Sequence, residues 1–382
     1  MANPRTKSTS RTSLGKPAIS DSPLPGQVIL VMQGGGALGA FQAGVYEAMH
    51  EAGIEPDWVV GTSIGAVNGA IITGNSPQNR LPRLREFWNL VASGSASSSP
   101  WNLFGAGNLL HNLSTVTQGI PGFFTPNPCS WFGTHSPLEI SDASYYSTTP
   151  LRQTLGELVD FNRINKEKGT RLTLGAVNVN SGRMRYFDSR DHAVGIDHVM
   201  ASGALPPAFP AVMIDGEPYW DGGICSNTPI EVVMDDNPRH DSVIFAAQLW
   251  QPTSDTPQSI QQVMGRMKDI QYASRIADHT VLQQQLHHLR HVVRELGRRL
   301  PESDRAKAEV KDLIDWGCRT VMHVLSLQAP ALKDEDQTKD IDFTPDGIST
   351  RWQAGYKSAQ QKIAEAPWQA AVAPEDGIVV HS

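Results

Sequence analysis

The sequence has few cysteines, few charged residues and no long apolar run. Its 382 residues include three cysteines, Cys129, Cys225 and Cys318. Their wide separation gives no metal-binding spacing, and the odd number argues against a disulfide framework. The longest apolar stretches, near residues 28–32 and 66–72, are far shorter than the roughly 20 residues of a membrane-spanning helix. We therefore expect a cytoplasmic protein that requires no metal or other cofactor.

Charge and composition limit the classes of partner and the domain organisation that we expect. The chain carries 32 Lys and Arg against 39 Asp and Glu, a formal charge of -7, which argues against nucleic acid as a partner. The length allows one large domain and an extension. Residues 1–25 are basic, rich in Ser, Thr and Pro, and lack apolar periodicity. We expect this segment to be a disordered tail.

The segment Gly61-Thr62-Ser63-Ile64-Gly65 follows the apolar run Trp58–Val60 and precedes a helical stretch of small residues. A strand that turns sharply into a helix strains the residue at the turn, and glycines two positions away on each side remove steric clashes. The hydroxyl of Ser63 is then exposed near a helix N-terminus, which favours developing negative charge. The pattern indicates a nucleophilic serine, although a simple Gly/Ser turn between a strand and a helix can have the same sequence pattern.

A glycine loop follows the first predicted strand, Gln27–Met32, and precedes a second helical pattern. Gly34, Gly35, Gly36 and Gly39 leave backbone N–H groups uncovered, so the loop can donate to an oxyanion or a phosphate. The same glycines fit a dinucleotide-binding pattern, which requires an acidic residue at the end of the second strand. That strand ends instead at Gly61, and Asp57 stands at its opposite end, so an oxyanion is the better ligand.

A third motif lies at Asp221-Gly222-Gly223, after the aromatic pair Tyr219-Trp220. Asp-Gly alone is common in turns. A carboxylate desolvated in a pocket, however, can accept a proton directly from a serine hydroxyl without a histidine. Combined with the two earlier motifs, Asp221 is the candidate general base.

The order of these motifs resembles the patatin-like lipid acyl hydrolases, a bacterial subgroup of which has a similar C-terminal tail. The segments Ala201–Pro210 and Asn227-Thr228-Pro229 add to the resemblance, which covers roughly residues 26–250. It implies an α/β fold with a three-layer α/β/α core, a Ser63–Asp221 dyad and oxyanion donors at Gly34, Gly35 and Gly36. Gly39, Gly61, Gly65, Gly222 and Gly223 would support these motifs. The implied substrate is a lipid or another carboxylic ester.

Three alternatives stay open. The same dyad would serve an acyltransferase, and a non-catalytic lipid- or membrane-binding scaffold can keep motif residues. A Ser-His-Asp triad would need a histidine after Asp221, and His240 is the first. Because His240 follows a polar, Pro-containing loop, and because Ser63 comes so early in the chain, the triad is a minor alternative.

Two loop positions depart from the family pattern. Many relatives have a Lys or Arg just before the last glycine, where this chain has Leu38, and an acidic residue where it has Gln33. A cation there would pair with a lipid phosphate. The departure leaves neutral esters as plausible as phospholipids.

Residues 93–150 combine Gly, Ser, Pro and Asn with many aromatic and large apolar residues: Trp101, Leu103, Phe104, Leu109, Leu110, Phe123, Phe124, Trp131 and Phe132. Such a long connection is usually functional or disordered. We expect either a cap that lines an acyl pocket, or a satellite core in which the aromatic residues bury one another.

Residues 251–382 form the predicted helical C-terminal region, packed on the core. In the proline-free stretch 258–300, five leucines and Val293 repeat every three or four residues from Leu282 to Leu300. This pattern predicts a seam for another helix, expected at 305–325. This basic helix also leaves peripheral membrane contact and a homo-oligomer open. His287 and His291 are one turn apart, and we expect surface histidines rather than metal ligands.

Overall fold

The computed structural model describes residues 24–381 except 94–117, 134, 136, 167, 333–334 and 336. The strands are β1 (Gln27–Met32), β2 (Trp58–Gly61), β3 (Thr125–Pro126), β4 (Tyr146–Ser147), β5 (Arg171–Asn178), β6 (Met184–Asp188), β7 (Val212–Ile214), β8 (Glu217–Asp221), β9 (Ser242–Gln248), β10 (Met322–Gln328) and β11 (Ile378–His381). The helices are α1 (Ala40–Glu51), α2 (Ile64–Thr73), α3 (Pro77–Ser93), α4 (Thr149–Leu158), α5 (Phe161–Ile164), α6 (Ile196–Ser202), α7 (Ile230–Met234), α8 (Ile260–Arg299), α9 (Glu302–Arg305), α10 (Ala308–Asp315) and α11 (Pro345–Glu365).

A mixed sheet forms the centre of the molecule. Its parallel part runs in the order β11-β10-β9-β1-β2-β5, and β6, β7 and β8 join in antiparallel pairings. The short strands β3 and β4 pair separately. Parallel strands buried on both faces read as continuous apolar runs, as β1 does.

Alternate residues of β1 point into two different apolar cores. Leu30 and Met32 belong to the larger core with α1, α2 and α3, whereas Ile29 and Val31 belong to a second core with α7. Successive strand side chains face opposite sides of a sheet, so helices cover both faces. The three-layer α/β/α architecture expected from the sequence is confirmed.

The register of β5 places the ends of β2 and β8 side by side. One edge of β5 pairs with β6 over residues 173–177. The other edge pairs first with β2, Gly61 opposite Leu174, and then with β8, Asp221 opposite Ala176. Asp221 therefore occupies the edge just beyond the point where β2 turns away.

The C-terminal region contains helices, as expected, and also two strands of the central sheet. The helix expected at 305–325 is wrong in its second half: α10 ends at Asp315, and residues 322–328 form β10, which pairs with β9 and β11. Helix α11 packs against α1 at close range. A Cβ on Gly44 would lie 1.9 Å from the Trp352 carbonyl oxygen, and one on Gly355 would lie 1.9 Å from that of Phe41.

Helix α8 buries the face opposite to the one that the leucine seam predicts. Leu282, Leu289 and Leu296 are more than half exposed. The expectation that His287 and His291 lie on the surface is wrong, because they are 0% and 5% exposed. The His287 ring contacts the Met234 carbonyl at 3.1 Å, and the His291 ring contacts two further backbone carbonyls.

Part of the expected cap can be located. Trp101, Leu103, Phe104, Leu109 and Leu110 lie outside the described residues, as does the basic tail up to residue 23. Phe123 and Phe124 are buried in the main core. Their rings contact each other, and both contact Phe209.

Candidate active site

Ser63 lies at the junction of β2 and α2 in a strained conformation. Its φ of 56° and ψ of -122° fall in a region that residues with a Cβ rarely adopt. Its N–H donates to the Ser202 hydroxyl at 3.1 Å, and that hydroxyl donates to the Gly175 carbonyl at 2.6 Å. Ser202 thus ties the turn to β5 and leaves the Ser63 side chain facing a cavity.

The supporting glycines lie where a side chain has no room. A Cβ on Gly65 would be 2.3 Å from the Met32 carbonyl oxygen, and one on Gly61 would be 2.4 Å from that of Gly65. On Gly222 a Cβ would approach a backbone oxygen to 2.5 Å, whereas on Gly39 and Gly223 it would meet side-chain atoms at 2.6 and 2.9 Å. The tight packing of backbones fixes the Ser63 turn and the Asp221 loop.

Asp221 is a buried carboxylic acid in contact with Ser63. It is 2% exposed, and its Oδ1 accepts a hydrogen bond from the Gly223 N–H at 2.7 Å. Burial raises the pKa of the Asp221 carboxyl to about 7, although hydrogen bonds from the Ser63 side chain and the Gly223 N–H act in the opposite direction. Burial disfavours the charged form, so this carboxylate changes protonation state near neutral pH.

The glycine loop has two N–H groups free to bind a ligand. The Gly34 N–H donates to the Asn227 carbonyl at 3.2 Å, so it is occupied in this structure. The N–H groups of Gly35 and Gly36 have no acceptor among the described residues. All three glycines line the cavity that contains Ser63 and Asp221.

Gln33 and its neighbours hold the loop in place. The Gln33 side-chain oxygen accepts the backbone N–H groups of Leu249 and Trp250, and its amide nitrogen donates to Thr228 Oγ1 at 2.7 Å and to the Tyr272 carbonyl at 3.1 Å. The Gly34 carbonyl accepts from the Trp250 indole at 2.7 Å and from the Asn227 amide at 3.1 Å. Buried polar groups whose hydrogen bonds are all made give a rigid arrangement.

The cavity beside Ser63 has a volume of about 200 Å³ and is predominantly apolar. Its aromatic wall consists of Phe123, Phe124, Tyr146, Phe209 and Phe343. Among the described lining residues there is no Lys, Arg or His. The site therefore offers an apolar chain a place to bind, with the reactive oxygen at its edge and no cation to pair with a phosphate.

Residues after 250 form one side of this cavity. Tyr272 of α8 lines it together with Asp340, Ile341 and Phe343 from the segment 339–343. A Cβ on Gly36 (φ +55°) would lie 2.2 Å from the Asp340 carbonyl oxygen. Two ion pairs join the segment to α8: Lys268 with Asp340, and buried Lys339 with Asp269, each at 2.8 Å. The expected C-terminal region thus takes part in the site.

Leu38 does not reach the cavity. It is buried against Phe41 and Leu249 beside Arg351 and Ala354 of α11. The Leu38 position of the glycine loop is therefore apolar and covered by the C-terminal helix.

The described cavity lining does not support a histidine-based triad. His240 is exposed and absent from the lining. Among the described residues, no group of three or more His, Cys, Asp or Glu side chains is suitable for holding a metal ion. No helix among them combines the length and hydropathy that crossing a bilayer requires.

Several site residues escaped prediction from the sequence. Ser202 and Asn227 lie inside segments that carry the family resemblance, so a signal for them existed. Tyr272 and Phe343 had none, because they lie far along the chain in segments that read only as helix and as a short extended piece.

Comparison with known proteins places the chain in a family. The profile of patatin-like phospholipases matches residues 30–234, more than half of the chain, and a patatin phospholipase profile matches residues 270–375. A 42-residue segment is 60% identical to the lysophospholipase nte1 of Aspergillus terreus, covering 11% of this chain and 3% of that protein.

Two solved structures are similar over most of the chain. VipD from Legionella pneumophila aligns with a TM-score of 0.38 and 15% identity over 89% of this chain and 67% of its own. The type III effector ExoU aligns with a TM-score of 0.29 and 13% identity over 91% and 54%. With the motifs, the sheet and the profile matches taken together, the chain belongs to the patatin-like phospholipase family of lipid ester hydrolases.

Proposed function

We propose that this protein hydrolyses carboxylic esters of lipids through a Ser63–Asp221 dyad and an acyl-enzyme. The observation that carries the proposal is the contact between a strained, cavity-facing serine and a buried aspartate whose pKa lies near neutrality. A general base works best when its pKa is close to the operating pH.

In the proposed reaction the Asp221 carboxylate takes the Ser63 hydroxyl proton while Oγ attacks the ester carbonyl carbon. The N–H groups of Gly35 and Gly36 donate to the tetrahedral oxyanion, in the manner of an oxyanion hole. Protonated Asp221 then gives its proton to the departing alcohol, which leaves the acyl group on Ser63. Water, deprotonated by Asp221, attacks this ester, and protonated Asp221 returns the proton to the Ser63 oxygen as the fatty acid is released.

The cavity supports an uncharged group next to the scissile ester. An apolar acyl chain fits its aromatic wall, whereas a phosphate there would meet the carboxylate of Asp221 and no described cation. Like charges at close range disfavour binding. We therefore propose uncharged carboxylic esters as the preferred substrates.

The test is hydrolysis of an acyl chain-length series of neutral esters by the wild type and by Ser63→Ala, with phosphatidylcholine of matched acyl length alongside. His240→Ala is the control, because His240 is exposed and outside the cavity. We expect loss of activity in Ser63→Ala only, and a preference for the neutral esters. Full activity in Ser63→Ala would refute the dyad, and a strong preference for the phosphatidyl substrate would refute the substrate proposal.

A further inference from the structure

A second cavity, of about 270 Å³, lies at the far end of α8 and is lined by charges of one sign. Its lining comprises Arg294, Gly297 and Arg298 of α8, Arg305 of α9, Lys311 and Ile314 of α10, and Arg319 of the segment leading to β10. We call it the cationic cleft. A Cβ on Gly297 would lie 2.6 Å from Ile314 Cγ1, so this glycine allows α8 and α10 to approach closely.

The cations of the cleft have few partners within the protein. Arg298 pairs with Glu295 at 2.9 Å. In the part of the chain that the structure describes, the side chains of Arg294, Arg305, Lys311 and Arg319 form no ion pair and no hydrogen bond. Nearby acidic residues are present on the same helices, but none lines the cleft: Glu295, Glu302, Asp304, Glu309, Asp312 and Asp315.

Such a cluster of Arg and Lys side chains is unusual in a chain of formal charge -7. Four unpaired cations around one cavity repel one another, and an oxyanion that accepts hydrogen bonds from several of them removes that repulsion. Arginine suits this role because its planar fork matches phosphate oxygens. We infer that the cationic cleft binds a phosphate-bearing ligand whose phosphate groups together carry more than one negative charge.

The cleft is separate from the Ser63 cavity. Tyr272, at that cavity, and Arg294 are 22 positions apart on the same helix, which corresponds to about 33 Å along its axis. Exposed apolar side chains adjoin the cleft in sequence: Leu313 is 66% and Trp316 77% exposed. A phosphomonoester headgroup at a lipid surface would satisfy both features, whereas a soluble phosphate compound would satisfy the charge alone.

The experiment measures the binding of two probes: inorganic pyrophosphate, and phosphatidylcholine vesicles with or without phosphatidic acid. The protein is the full-length chain carrying Ser63→Ala, so that lipid is not hydrolysed during the measurement. The cleft variant is Arg305→Gln with Lys311→Gln. The control is Arg299→Gln with Lys307→Gln, which removes the same charge from the end of α8 and from the residue before α10, both outside the cleft lining. Unchanged thermal unfolding verifies that both variants are folded.

We expect the cleft variant to bind the phosphate-bearing probes about tenfold more weakly or worse, since each lost charge-assisted hydrogen bond contributes a factor of about ten or more, and the control to bind as the parent does. Loss restricted to phosphatidic acid vesicles assigns a lipid source, and equal loss for pyrophosphate assigns a soluble one. Equal weakening in both variants would indicate general electrostatic attraction and overturn the site, as would the absence of binding to both probes.

Discussion

Replacing Asp221 with Asn tests both the catalytic role and the electrostatic cost of this buried acid. Burial raises the carboxyl pKa from 3.8 to about 7, so the folded state binds this proton more tightly than the unfolded state does. The stability contribution is therefore complete below pH 4 and is lost as pH rises through 7. Between pH 5 and pH 7 the free energy of unfolding of the wild type falls by about 2 kcal/mol, because each pH unit corresponds to about 1.4 kcal/mol and the Asp221 carboxyl is already half ionised at pH 7.

Asparagine has nearly the same shape, can still accept the Gly223 N–H and carries no charge. We expect Asp221→Asn to gain about 3 kcal/mol relative to the wild type between pH 5 and pH 8, while ester hydrolysis falls about 10²–10⁴-fold, as for loss of a general base. Urea unfolding at the two pH values gives the first quantity and a pH-stat assay the second. Asp255→Asn, at an exposed position, is the control.

The reasoning would be refuted by a stability difference between Asp221→Asn and the wild type that does not change with pH. That result would mean that water or a rearrangement solvates the Asp221 carboxylate. Burial would then not explain a pKa of Asp221 near neutrality, even if Asp221→Asn lost activity.

Three further predictions follow from the same geometry. The kcat/KM for a neutral ester should fall tenfold per pH unit below about pH 7, because protonated Asp221 cannot accept the Ser63 proton; a pH-stat profile flat down to pH 5 would contradict this. Gly36→Ala should lower kcat about 10²-fold or more and destabilise the fold by roughly 2 kcal/mol. The reason is that φ is +55° and the new Cβ would lie 2.2 Å from the Asp340 carbonyl oxygen. Steady-state kinetics and urea unfolding measure the two effects, and wild-type values for both would rule out the tight contact. Gln33→Glu keeps the acceptor for Leu249 and Trp250 but loses the donor to the Tyr272 carbonyl, so we expect about 2 kcal/mol of destabilisation and slower labelling of Ser63 by a fluorophosphonate; unchanged labelling would show that the loop does not depend on this amide.

The sequence was a good guide to the core of the fold, and the structure brings its three motifs to one cavity, because each motif has a local physical cause. A sharp strand-to-helix turn needs small residues around Ser63, and a close backbone approach needs the glycines at 34–36. The distance between Ser63 and Asp221 depends instead on β5, which pairs with β2 and β8 along one edge. No local pattern encodes that register.

Periodicity identified α8 as a helix but gave the wrong buried face. Leucines at alternating spacings of three and four make an apolar stripe, and such a stripe normally faces a core. In this structure the opposite face is buried, because His287 and His291 find backbone carbonyl partners from α7 and from segments near β10 and β11. A buried histidine whose ring N–H donates to a backbone carbonyl costs little, and hydrophobicity alone cannot reveal those partners.

The division of the chain at residue 250 illustrates the limit of reading organisation from composition. The change from mixed elements to a long helix suggests a boundary there, and the two family profiles end and begin on either side of it. Yet β10 extends the sheet from β9, Phe343 completes the cavity wall, and the Tyr272 carbonyl accepts the amide of Gln33. A region that supplies an acceptor to the residue opening the glycine loop is part of the candidate site, so the geometry of the proposed oxyanion donors depends on residues more than two hundred positions away.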